Sequence, residues 1–164
     1  MQAGFGLGGV WIFKYLFVIG ATQYPSLGYV NSFLSFFTPL LLLSYLIKFK
    51  NTKSENKLKY WEGVRLGVTL FLFASIIESV IILLHITWID TSYISRVTQQ
   101  TIEFAQSLNF NDTMMKELKR QSSLSSFTYV IRQIMSNVSI GFIISLMLSP
   151  IAARINIDIK NLNK

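Results

Sequence analysis

Glu78 stands inside a run, Leu66 to Ile86 (LGVTLFLFASIIESVIILLHI), that otherwise carries no acidic or basic residue apart from the single histidine, His85. Hydrocarbon offers an ionisable side chain no solvation, so such a group in a run of about twenty apolar residues is a functional or structural site by default. Two cations occupy comparable positions, Lys14 in the first apolar run and Arg132 in the last. At a rise of ~1.5 Å per residue, Lys14 falls roughly 12 Å, Glu78 roughly 15 Å and Arg132 roughly 9 Å below the outer ends of their helices. The three can therefore meet. On the third run Ser75, Glu78 and His85 share a helical face. On the fourth, Arg132, Ser136 and Ser139 do so with Gln133 and Asn137 beside them, and on the second Asn31, Ser35 and Thr38. The candidate intramembrane polar cluster is thus Lys14, Glu78, His85, Arg132, Gln133 and Asn137. Interhelical pairing that fixes how the helices pack is the favoured role. The sharper role is a polar cleft, open to the outside, that binds a charged head group or passes a proton. Both require Glu78 to be paired with Lys14 or Arg132.

Other constellations are weaker. Gly4, Gly6 and Gly9 satisfy a dinucleotide-binding spacing, but only three residues precede Gly4 and no strand fits ahead of it. Close helix packing is the expected use of Gly4, Gly6, Gly8 and Gly9. Ser139, in Asn137-Val138-Ser139-Ile140-Gly141, is one glycine short of a serine-hydrolase pattern, and the one histidine, His85, falls far from it by span counting. With no cysteine and one histidine, a transition-metal site is not expected, and neither a cofactor nor a catalytic residue is assigned. Asn111, Asp112 and Thr113 form a glycosylation acceptor pattern that matters only in a eukaryotic secretory pathway.

The elements that must hold these residues follow from composition. Of 164 residues 51% are hydrophobic and 14% charged, too little polar surface for an ordinary soluble domain. The net charge of +7 does not imply nucleic acid, because the basic residues cluster between apolar runs. The apolar runs predict four spans, at about 3–21, 29–47, 63–87 and 127–148. The first is read as a retained helix, not a signal peptide, since no positive charge precedes it. Pro39 is expected to bend the second span just beneath its polar stripe. Residues 1–164 read as a single all-α membrane domain: an integral membrane four-helix bundle with an extramembrane helical loop at about 89–126 and a tail at 150–164. Lys48, Lys50, Lys53, Lys57, Lys59 and Arg65 flank the turn after the second span, and Arg154, Lys160 and Lys164 follow the fourth. The positive-inside rule places both groups, and both termini, in the cytoplasm.

The loop has its own pattern. Ile94, Val97, Thr101, Phe104 and Leu108 recur at helical spacing opposite Arg96, Gln99, Gln100, Glu103 and Gln106, which predicts an amphipathic helix over about 93–108. Asn111 and Asp112 suit the cap of a second helix carrying Met114, Met115 and Leu118. Such an uncovered apolar stripe marks a docking face for a partner or a membrane surface.

The layout resembles a known family. Tyr60-Trp61-Glu62-Gly63 at the end of the Lys-rich loop, Ile89-Asp90 followed by Tyr93, and Gly141 to Leu146 (GFIISL) are similar to the bacterial membrane family catalogued as domain of unknown function 4199. This chain has Thr91 where many members carry proline. The resemblance implies a multi-pass protein of the bacterial inner membrane, of no established activity. The residues themselves suggest a non-catalytic accessory or scaffold role, with the outer amphipathic helix as docking element, the alternative being a small transporter or lipid-flipping component that uses Glu78, Lys14 and Arg132 in a polar cleft in the outer half of the membrane. The expected partners are the membrane lipid bilayer and a membrane protein, for which the family hints at a polyprenyl-phosphate glycosyltransferase.

Overall fold

The computed structural model of the chain describes residues 2–53, 57–121 and 125–155, and among them every regular element is a helix. Helix α1 spans Gln2–Gly20, α2 Ser26–Ser35, α3 Phe37–Thr52, α4 Tyr60–Leu84, α5 Tyr93–Ser107, α6 Asp112–Gln121 and α7 Ser126–Arg154. Three stretches are long and apolar enough to cross a membrane: Ser26–Thr52, Tyr60–Ile89 and Ser126–Arg154, of 27, 30 and 29 residues. The first apolar run forms a shorter helix, with Gly4–Gly20 as its apolar part. At ~1.5 Å per residue that part reaches about 26 Å, slightly less than the ~30 Å hydrocarbon thickness.

The helix boundaries depart from the apolar runs for identifiable reasons. The second run is interrupted at Phe36, three residues ahead of Pro39. A proline ring collides with the carbonyl four residues back, here that of Ser35, and Pro39 has no N–H to offer it. The chain answers with a tighter turn, in which the Phe36 N–H bonds to Phe33 O at 3.1 Å. The fourth run continues as helix through Pro150 to Arg154, where a tail was expected from residue 150. The remainder of that expected tail, from 156, lies outside the described residues. At its start α4 is capped by Glu62, whose Oε2 accepts the Lys59 backbone N–H at 3.2 Å and pairs with Lys53. This is the reciprocal half of a capping box.

The chain divides into two compact units, one of Met1–Glu78 and Ile134–Lys164, the other of Ser79–Gln133. In the first, the core is Leu7 and Trp11 of α1, Leu42, Leu46 and Ile47 of α3, Leu58 just ahead of α4, Leu70, Phe71 and Ala74 of α4, and Ala152 of α7. Trp11 meets Phe71 edge to face, with ring centroids 5.1 Å apart. Close approach comes from small residues. A Cβ on Gly63 would lie 2.7 Å from Ser149 Oγ, one on Gly67 would collide with Ser145, and one on Gly141 with Phe71. These pairs, with rising numbers on α4 and falling numbers on α7, set the two helices antiparallel. Ser145 and Ser149 remain compatible with an apolar seam because each hydroxyl bonds back to its own helix, at Gly141 O (2.6 Å) and Ser145 O (2.7 Å). Along α1, Gly4 faces Phe73 Cβ at 3.2 Å and Gly8 faces Ile77 Cδ1 at 2.9 Å, so α1 runs parallel to α4; Gly6 faces the Tyr45 hydroxyl, and Gly9 meets nothing within 4 Å. Three of the four glycines thus do the close packing expected of them.

In the second unit α4 ends in a π turn, His85–Ile89, closed by the Asp90 N–H on His85 O at 2.7 Å. Beyond it α5 and α6 form a hairpin. Asn109 turns the chain with φ 53°, a left-handed conformation that asparagine tolerates. Phe110 N–H bonds to Ala105 O (3.2 Å) and Asn109 N–H to Gln106 O (3.0 Å), the paired bonds of a Schellman cap. Asn111 Oδ1 then caps α6 by accepting the Met114 N–H at 2.9 Å. The covered face of α5 is Ile94, Thr98, Ile102 and Ala105, while Phe104 and Leu108 are exposed. The expected stripe through Val97, Thr101 and Phe104 is therefore displaced round the helix. Ala105, too small to weigh in the apolar pattern, lies on the covered face, whereas the bulky Phe104 beside it does not.

Candidate functional site

Glu78 lies on the buried side of α4, 5% exposed, and accepts a hydrogen bond from Asn137 Nδ2 of α7 at 3.2 Å. Lys14 of α1 is the cation that acts on it electrostatically. Both residues lie toward the same end of the α1–α4 contact, with the level of Lys14 about five residues further along α4 than Glu78, so the two charges act on each other without a direct ion pair. The Lys14 ammonium also lies 5.4 Å from the centroid of the Trp11 ring, one turn back on its own helix, which provides a second, quadrupolar partner. Half-buried Lys14, buried Glu78 and half-buried Asn137 thus form one cluster in the first unit. Trp11 sits beneath it, with its indole N–H buried and lacking a hydrogen-bond acceptor.

Of the six candidate residues, Lys14, Glu78 and Asn137 belong to the first unit and His85, Arg132 and Gln133 to the second. Arg132 is exposed. His85 is fully buried in the π turn, its ring 4.8 Å from that of Tyr93, which in turn meets Tyr129 edge to face at 6.5 Å. Beside this aromatic stack, Asp90 accepts hydrogen bonds from Arg96 and from Ser92 Oγ (2.9 Å). The Arg96 guanidinium holds the Asp90 carboxyl below the usual carboxylate range, and burial pushes the Tyr93 phenol up. The Ile89-Asp90 and Tyr93 elements of the sequence thus tie the start of α5 to the end of α4. Ser139 is exposed, and its hydroxyl donates to Met135 O at 2.9 Å.

Three arrangements went unread in the sequence. Lys50 is 2% exposed, and its Nζ donates to Ala153 O (2.8 Å) and Ile155 O (3.0 Å), carbonyls at the C-terminal end of α7. It lies four and eight residues beyond buried Leu46 and Leu42, a spacing that would have shown it on the packed stripe of α3. Pro150 leaves Leu146 O without its usual donor, and the Tyr60 hydroxyl of α4 reaches that carbonyl at 3.5 Å. Finally, Gly63 and Gly67 form a GxxxG spacing that matches Gly141, Ser145 and Ser149 on the opposing helix.

Long apolar helices that pack through glycine and serine define an all-helical protein suited to a lipid bilayer. Over residues 2–154 the chain matches the family described as Protein of unknown function (DUF4199), and it belongs to that family. No curated protein and no solved structure matches it.

Proposed function

We infer that the protein is a four-span membrane scaffold, an accessory subunit that acts through packing and not through catalysis. The observation that supports this most is where the polar side chains of the apolar helices go. Ser35, Ser75, Ser139, Ser145 and Ser149 each donate to a carbonyl one turn back on their own helix, and Asn137 holds Glu78. Serines committed in this way can sit in tightly packed apolar seams, and the Asn137–Glu78 bond ties α7 to α4, which supports a packing role. The parallel course of α1 and α4 suits a fourth span, and the distribution of lysine and arginine suits cytoplasmic termini in a bacterial inner membrane.

A second reading has one observation in its favour. The Trp11 N–H is a buried donor without an acceptor beside Lys14 and Glu78, so a transported head group or proton carrier has a place to bond.

Vesicles reconstituted with variants separate the two. Under the scaffold reading Glu78→Gln lowers the yield of folded protein and Lys14→Met restores part of it, because the two charges act on each other across the contact of α1 and α4. A Glu78→Gln protein that folds normally but loses a proton or lipid flux seen in the wild type establishes the transport reading instead.

A further inference from the structure

The hairpin of α5 and α6 covers one apolar set and leaves another open. Phe104, Leu108, Phe110 and Met114, between 44% and 64% exposed, surround the Asn109 turn. Reach, charge and area together decide what covers them.

The first is reach. Three residues join Ile89, the end of the α4 span, to Tyr93, and four join Gln121 to Ser126, where the last span begins. Even fully extended, at ~3.5 Å per residue, these connections hold both feet of the hairpin within roughly 14–18 Å of the span ends. The second is charge. Lys116, Lys119 and Arg120 outnumber Asp112 and Glu117 on α6 by one charge, and Arg120 pairs with Glu117 at 3.1 Å, so the helix carrying Met114 has a positive excess borne by its lysines. The third is area. Four half-exposed side chains of this size offer on the order of 400 Å², about half of the ~800 Å² per partner that a stable protein interface uses. That is ample for an interfacial foothold, in which aromatic and methionine side chains enter the boundary between head groups and acyl chains while cations stay with the head groups.

We propose that the α5–α6 turn rests in the surface of an anionic bilayer, with Phe104, Leu108, Phe110 and Met114 inserted to shallow depth and the basic residues of α6 meeting lipid phosphates. The bound class is an anionic phospholipid surface. The hairpin is thereby a lipid-contacting foot, and this role requires neither a protein partner nor a transported substrate.

The chain has no cysteine, so single environment-sensitive fluorophores can be attached in the full-length protein. Leu108→Cys and Phe110→Cys are labelled in vesicles of phosphatidylcholine with and without phosphatidylglycerol, and Gln99→Cys, at an exposed polar position of α5, serves as reference. The turn sites should emit to the blue of Gln99, resist aqueous iodide and be quenched by lipids with a nitroxide near the head group, more strongly when phosphatidylglycerol is present. Iodide quenching at the turn equal to that at Gln99 overturns the proposal. Shielding that appears only at high protein-to-lipid ratio assigns the face to a second copy and overturns it equally.

Discussion

Lysines next to a membrane span are ordinarily read as topology signals, and Lys48, Lys50 and Lys53 look interchangeable on that basis. The structure separates them. Lys48 is exposed, Lys53 pairs with Glu62, and Lys50 is buried with its ammonium on two carbonyls at the end of α7. A cation at a helix C-terminus meets both orphan carbonyls and the negative end of the helix dipole. Lys50→Met keeps most of the buried volume and removes these bonds, so it should lower stability by about 1.5–3 kcal/mol, the range for hydrogen bonds to charged groups. Lys48→Met should change stability little, and thermal unfolding in detergent compares the two. Residue by residue, a charge in an apolar run was the legible signal, which is why Glu78 and Lys14 stood out. A charge at the edge of a run was not, because composition cannot tell a capping lysine from a solvated one. Depth along a helix was legible too, but which of two cations faces Glu78 depends on helix register.

The seam between α4 and α7 shows how much of an element's role lies in what it omits. Gly63, Gly67 and Gly141 admit Ser149, Ser145 and Phe71, and no lipid-facing residue type could replace them. Gly67→Ala should force Ser145 aside and cost about 1–3 kcal/mol, as overpacking does. Gly9→Ala, at a position with nothing within 4 Å, should be neutral or gain up to about 1 kcal/mol from reduced backbone entropy. The paired variants, compared by melting temperature and by monodispersity on a sizing column, test whether the seam sets the packing. The helices themselves were visible as apolar runs, since length and hydropathy suffice for that. Their ends were not, because Pro39 acts on Ser35 upstream of itself, and because α7 carries on past Pro150 with support from two other helices. The face of α5 was misplaced for a related reason. Hydrophobic periodicity marks the apolar residues, whereas the covered face also takes in Ala105, too small to weigh in that pattern.

At the scale of the whole molecule the open quantity is the number of crossings. Three helices meet the length and hydropathy of a span, and the short α1 decides whether there is a fourth. Single cysteines read by a membrane-impermeant reagent in intact cells settle it. With four spans and cytoplasmic termini, Gln23→Cys and Asn111→Cys should react while Gln2→Cys and Thr52→Cys stay protected. If Gln2→Cys reacts along with Gln23→Cys, α1 does not cross and lies at the surface. The Lys-rich and uncharged connections were enough to propose a side for each loop. The division into two units was not legible, because it falls within α4 and α7, whose sequences run on unbroken.

Pro150 has a consequence for the last span. The one carbonyl it strips is answered from another helix across 3.5 Å, while the carbonyls beyond it are gripped by a buried ammonium. Helix α7 therefore lacks one rung of its own ladder at Leu146 and borrows a replacement from Tyr60, so the aromatic at the mouth of the basic loop also carries part of the backbone bonding of the last span.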